Sequence, residues 1–489
     1  MPLIVWLLVP VLLILIGVAA WDLTQRKHAL LRNFPIVGHF RYLLEAGGPA
    51  LRQYIVTSNN EERPFSRDQR SWVYASAKQQ NNFFGFGTDN DLERSPNYII
   101  IKHATFPWTG RDEHSKSQVH LAARTLGAAR GRRRAFRPPL FYVSAMSYGS
   151  LSGPAVQALN RGCGLTGALH NTGEGGVARH HLHDGQLIWQ LGTGYFGARD
   201  ETGNLSIERL VERTQVSPSI RAIEIKLSQG AKPGKGGVLL AAKITSEIAA
   251  IRGIPMGKDC MSPAWHTAFR NADELLDVVE RIADATGLPV GIKSAVGQTG
   301  FFEELADLMQ SGTRGIDYLV IDGGEGGTGA APLAFSDHVA LPFKLAFSRV
   351  YRIFEERGVN DRLLFGGSGR LGFPEEALLA FAMGCDMVGI AREAMLSIGC
   401  IQAQQCHTGH CPTGVATQNR WLMRGLDPTD KAARFANYVL TLDHDVMALA
   451  HACGFEHPSQ VTLDHLEILD ASFGSRSATQ VFAPHRLSS

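Results

Sequence analysis

Residues 318–332 read YLVIDGGEGGTGAAP, from Tyr318 to Pro332: five residues with an apolar centre, then a loop in which five of ten residues are glycine. A run this short, β-branched at its centre and stopped by glycine, suits a strand buried in a parallel sheet, with the polar segment after it forming a loop at the strand's carboxyl end. The chain repeats the arrangement. Apolar runs at 140–145, 167–171, 187–191, 222–227, 289–294, 363–366 and 387–391 bring the number of candidate strands to eight, and helical spacing of apolar residues fills 273–286, 301–311 and 375–384 between them. Eight such units predict an α/β fold, a (β/α)8 TIM barrel over 138–426. Nearly every strand runs into glycine and polar residues: SAMSYGS, HNTGEGG, IKLSQGAKPGKGG, IKSAVGQTG, GGSGRLG and GIAREAM. Chemistry in a barrel sits at the C-terminal ends of its strands, so these loops are expected to converge on one mouth.

The totals agree with a large globular enzyme. Of 489 residues, 44% are apolar and 52 are glycine, and the net charge of +2 gives no reason to expect a nucleic-acid partner. The run Arg130, Arg132, Arg133, Arg134 reads as a solvated loop. Seven cysteines, unevenly placed, do not make a disulfide framework. Residues 3–20 form an uninterrupted apolar run followed by Arg26, Lys27 and Arg32, which predicts an uncleaved, single-pass membrane anchor over 1–32 with everything after it on the cytoplasmic side. Segment 33–137 reads as an extension with a short helix and a few strands, and 427–489 as a short helical tail.

Within the loops, Gly366 to Gly372 contains GxGxxG after strand seven of a barrel, not in an opening βαβ unit. Barrels bind phosphate between the loops after strands seven and eight, so Gly367, Gly369, Gly389 and Ala391 are predicted to cradle a flavin phosphate, with Arg392 as counter-charge. Lys293, closing strand five, is placed to stabilise charge on a reduced flavin or to hold a substrate carboxylate. Lys226, Gln229, Lys232 and Lys235 extend a basic lining suited to an anion. Glu174, flanked by glycines, is a candidate to anchor an imine or relay a proton, or is a turn residue; Asp322 and Glu325 orient groups or cap the next helix. His180, His181 and His183 read as surface or packing residues.

Cys400, Cys406 and Cys411 in GCIQAQQCHTGHCPTGVATQ lack the paired CxxC spacing of structural zinc. They suggest an iron–sulfur cluster of three irons, with Cys385 or Cys260 left open as a fourth ligand and His407 and His410 as substitutes.

The motifs MSYGSLS, NTGEGG, IEIKLSQGAKPGKGG, IKSAVG, DGGEGGTGAAP and GCIQAQQCHTGHCPTGVATQ resemble, in order and spacing, the synthase domain of glutamate synthases. The resemblance implies a barrel holding FMN and a three-iron, four-sulfur cluster, which reductively aminates 2-oxoglutarate through 2-iminoglutarate. It implies cluster ligation by Cys400, Cys406 and Cys411, catalytic roles for Lys293 and Glu174, and cofactor binding that includes Met146, Ser147, Asn171 and Gly324. The chain departs from the large enzymes: no N-terminal cysteine nucleophile opens it, and Gly324-Glu325 stand where a His-Asp pair is usual. Ammonia is therefore expected from solution or from a separate partner, and electrons from ferredoxin or another donor. Two alternatives accompany this reading: an FMN dehydrogenase of another amino or hydroxy acid feeding a membrane carrier, and a non-enzymatic membrane-tethered electron relay.

Overall fold

Strands β1 (Phe141–Val143), β2 (Leu169–Asn171), β3 (Gln186–Leu191), β4 (Ile220–Lys226), β5 (Val290–Ser294), β6 (Tyr318–Asp322), β7 (Leu364–Ser368) and β8 (Met387–Ile390) close into one barrel in chain order. All neighbouring pairs are parallel, β8 with β1 included. The structure is a computed structural model that describes residues 3–25, 27–57, 61–83, 85–110 and 114–483. It divides into two units, Met1–Arg70 and Ser71–Ser489. The expected eight strands are all present. Helices α1 (Gly153–Thr166), α2 (Ile207–Val216), α3 (Ala272–Thr286), α4 (Gly300–Met309), α5 (Phe343–Glu356) and α6 (Pro374–Ala382) pack outside. Between β2 and β3 the described chain makes only a 3-10 turn, Arg179–His181.

Local sequence explains the element ends. Asn271 accepts the Glu274 N–H at 2.8 Å to start α3, Gly287 ends it at a left-handed φ of 73°, and Leu275, Val279 and Ile282 bury one stripe between. Inside the barrel, side chains alternate with period two. Tyr142, Leu169, Ile188, Ala222, Tyr318, Val320, Leu364 and Met387 form one buried apolar cluster, closed from below by Leu126. Each aliphatic side chain so buried contributes about 1.5–3 kcal/mol. Two residues further along the same faces stand Ser144, Asn171, Gln190, Glu224 and Asp322, and four beyond Leu364 stands Ser368. The core is therefore apolar below and polar at the mouth.

Four expectations need correction. The arginine run is solvated only in part: Arg133 is exposed, but Arg132, 7% exposed at its side chain, pairs with Glu280 at 2.6 Å and Asp317 at 3.0 Å, and Arg130 donates to the Arg314 carbonyl at 2.8 Å. Those carboxylates come from α3 and the approach to β6, so the run pins the lower rim of the barrel. The tail is not only helical. After the helix Pro428–Ala452, strand Leu466–Leu469 pairs antiparallel with Ile99–Ile101 and with Ser475–Ser477, because each short strand needs partners to satisfy its backbone. Segment 33–137 holds helices Val37–Leu51 and Arg67–Ala77 and, among the described residues, only the three-residue strand Ile99–Ile101 in place of several. The first helix is Leu3–Thr24, but among the described residues no helix is long and apolar enough to cross a membrane. Arg26 and the side chains of 3–7, part of the expected anchor, lie outside the described residues.

Candidate active site

Two ammonium groups meet at the mouth in neighbouring strands. Lys226 ends β4 in register with Lys293 of β5, so both face the interior, and both are buried. Each is held by its own carboxylate: Lys226 Nζ lies 3.0 Å from Glu174 Oε1, and Lys293 Nζ 3.0 Å from Asp322 Oδ1. Gln229 Oε1 accepts a further hydrogen bond from Lys226 at 2.7 Å, and Ser144 Oγ one from Lys293 at 3.2 Å. Ser144 in turn meets Ser368 of β7 at 3.3 Å, which spans the mouth with polar atoms. The backbone N–H of Gly230 donates to Asp322 Oδ2 at 2.7 Å, tying the loop after β4 to the end of β6.

Glu174 is enclosed by backbone from other loops. A Cβ on Gly192 would fall 2.5 Å from its Oε2, and one on Gly237 2.8 Å from its Oε1, so only glycine permits this approach. Burial pushes the Glu174 pKa up, but the Lys226 ammonium, with Lys232 and Arg252, outweighs it and holds the carboxyl below its ordinary value. The cleft beside it is lined by Ser147, Ser150, Ser262 and Arg252. Arg252, only 6% exposed, donates to the Tyr148 carbonyl at 3.3 Å, and its Nε has no hydrogen-bond partner.

The other expected residues divide into two groups. Asn171 is buried, donating to Glu224 at 2.8 Å and accepting from the Gly173 N–H at 3.0 Å, while Met146 and Ser147 form the half-buried loop after β1. Gly324 approaches the chain so closely that a Cβ would lie 2.5 Å from the Ala340 carbonyl. Arg392 reaches back to donate to the Glu325 carbonyl at 2.5 Å, its pKa lowered by burial, and Ala391 caps the short helix that Arg392 begins. Gly369 follows β7 beside Phe343 and Glu325. Gly367 and Gly389 lie within the strand ladder, where a Cβ would meet Phe343 at 2.8 Å and Tyr142 at 2.7 Å; their missing side chains make room for packing. Glu325 accepts the Phe343 N–H at 2.9 Å and so caps α5. Lys232 donates to the Gly236 carbonyl, and Lys235 lies over the Phe335 ring. His181 is fully buried against His170, and His180 packs on Tyr148, as the packing reading expects.

The cysteine loop begins after the helix Arg392–Ser397 and crosses the mouth. Tyr74 donates to the Cys400 carbonyl at 2.8 Å, Lys243 to the Cys406 carbonyl at 2.7 Å, and Gly329 of the loop after β6 packs on Cys406. Burial pushes the Cys411 thiol up, but the Ala416 N–H and the Thr413 hydroxyl and N–H outweigh it and favour the thiolate. Among the described residues no three His, Cys, Asp or Glu side chains stand together as a ready metal-ion group. Cys385 sits behind β7, where a Cβ on Gly367 would meet its Sγ at 3.0 Å, and Cys260 lies in the small hairpin Val238–Leu239/Cys260–Met261.

Sequence reading missed Glu224 and Arg252. Glu224 had a signal, since in Ile223-Glu-Ile-Lys226 it shares a face with Lys226 at period two. Arg252 had none, because only the fold of the β4–β5 insertion brings it to Glu174.

A family model described as the conserved region in glutamate synthase matches residues 135–456. The glutamate synthase large subunit-like protein YerD of Bacillus subtilis is 37% identical over 481 residues, covering 91% of this chain and 90% of that one. The archaeal glutamate synthase [NADPH] of Methanocaldococcus jannaschii is 35% identical over 64% of this chain, which spans 58% of that relative's length. Among solved structures, a sulfite-bound flavocytochrome b2 variant superposes with a TM-score of 0.45 at 14% identity, covering 82% of this chain and 83% of that one. With its barrel, mouth and cysteine loop all inside the matched region, the chain belongs to the glutamate synthase family and is an oxidoreductase of the class acting on CH–NH2 donors.

Proposed function

We propose that this protein reductively aminates 2-oxoglutarate, or a related oxo or imino acid, to glutamate, with FMN and an iron–sulfur cluster as cofactors. Ammonia comes from solution or a separate partner, and electrons from ferredoxin or another carrier. The observation that carries the reading is Arg252: a buried guanidinium whose Nε lacks a partner, beside Glu174, Lys226 and three serines. A buried N–H without an acceptor is costly, and a carboxylate matches the guanidinium fork in shape and sign. Arg252 and Lys226 bind the carboxylates of a dicarboxylic oxo acid, and Glu174 positions the nitrogen-bearing carbon's ammonium or imine.

The mouth has the chemistry to hold FMN. Lys293, Ser144 and Ser368 offer donors at the strand ends, and Gly324, Gly369, Ala391 and Arg392 supply side-chain-poor backbone and a cation for a phosphate. FMN supplies the hydride when bound; Lys293 neutralises negative charge beside it. Cys400, Cys406 and Cys411 would hold the cluster, and the N–H donors around Cys411 suit a thiolate ligand. Glu325 is turned onto α5 as its cap and offers no acid to the mouth.

Calorimetric binding of 2-oxoglutarate to the FMN-loaded chain tests the reading. Arg252→Leu and Lys226→Met are each expected to weaken binding by roughly 30-fold or more, since truncating one partner of a buried charged contact costs about 2–5 kcal/mol. Unchanged affinity in both variants would sink it.

A further inference from the structure

Glu224 of β4 is 0% exposed and lies two residues before Lys226 on the same, inward face of the strand. One carboxylate oxygen accepts from Asn171 Nδ2 at 2.8 Å and from Gln190 Nε2 at 2.7 Å, while the other, Oε2, has no hydrogen-bond partner. A purely structural carboxylate would have both oxygens satisfied, because a bare buried one costs desolvation with no return. The groups around it come from every side of the barrel. Lys293 of β5 attracts it and Asp322 of β6 repels it, while the Tyr142 and Tyr318 hydroxyls lie near enough below for its charge to raise their pKa further. Asn171 of β2 and Gln190 of β3 hold it in place, and on its own strand Lys226 is already matched by Glu174. Lys293 thus faces two carboxylates, Asp322 in direct contact and Glu224 from beneath.

We propose that Glu224 is a positioning residue acting through Lys293: it is the ammonium's second counter-charge, and it takes up a proton from solvent when an anionic oxo acid arrives at the mouth. The inference rests on the proposed function, in which the mouth binds an oxo acid. The incoming dicarboxylate, bound at Arg252 and at Lys226 in register with Lys293, adds negative charge beside Lys293, and Glu224, buried and with one oxygen bare, is the carboxylate least able to remain charged there. Burial already raises its pKa, with Lys293 and the two amides offsetting only part. Proton uptake makes the mouth less negative by one charge and gives the bare oxygen a hydrogen.

The test is calorimetric titration of the FMN-loaded full chain with 2-oxoglutarate at neutral pH in buffers of different ionisation enthalpy, whose slope counts protons taken up. Wild type is expected to take up close to one proton, and its affinity to fall toward tenfold per pH unit as pH rises. Glu224→Gln, isosteric and able to accept the same two amide bonds, is expected to take up none and to bind with an affinity that changes less than about twofold per pH unit. Heat independent of buffer in the wild type, which needs no variant, overturns the inference alone. So does uptake that persists in Glu224→Gln. Absence of any 2-oxoglutarate binding overturns the inference and the proposed function together.

Discussion

His170 lies in β2 with its ring fully buried and neither nitrogen hydrogen-bonded, and burial lowers its pKa to about 3. In the unfolded chain the ring titrates near its ordinary value, so below about pH 6.5 the unfolded state binds a proton that the fold refuses. Stability from this group is intact above that pH and falls on acidification at about 1.4 kcal/mol per pH unit until the folded pKa is reached. His170→Leu is therefore expected to lose about 2 kcal/mol less than wild type between pH 7 and pH 5, read from urea midpoints. An equal loss in both proteins would contradict it. At this scale the sequence was legible where residue and neighbours are close in the chain, as with Lys226 and Gln229. It was silent for Arg252 and misread Arg132 as solvated, because the partners of both lie far along the chain and reach them only through the fold.

The loop after β4 shows what an element contributes beyond its residues. Gly230 passes the loop after β6 so closely that a Cβ would lie 1.8 Å from the Gly323 carbonyl, while its N–H holds Asp322. Gly230→Ala is expected to cost about 3 kcal/mol in stability through this overpacking, read from denaturant titration. Wild-type stability in the variant would mean that the two loops do not meet. The strands themselves could be read from sequence because each is a short apolar run ended by glycine, and period two then fixes which side chains face inward. The sheet of Ile99–Ile101 with Leu466–Leu469 could not, since its two halves lie at opposite ends of the chain and each is too short to announce a strand alone.

As a whole the molecule is a barrel with an apolar floor and a charged mouth, crossed by a loop bearing three cysteines. In the other unit, Leu8, Leu12, Leu13 and Ile14 of the first helix are 58–65% exposed. The catalytic proposal is tested most directly by supplying the cofactor-loaded protein with 2-oxoglutarate, ¹⁵N-ammonium and a reduced electron donor, and measuring labelled glutamate. The account predicts donor-dependent ¹⁵N-glutamate from wild type, reduced about 100-fold or more in Lys293→Ala, the scale of losing one preorganised charge-stabilising group; no labelled glutamate from wild type carrying both cofactors would contradict it.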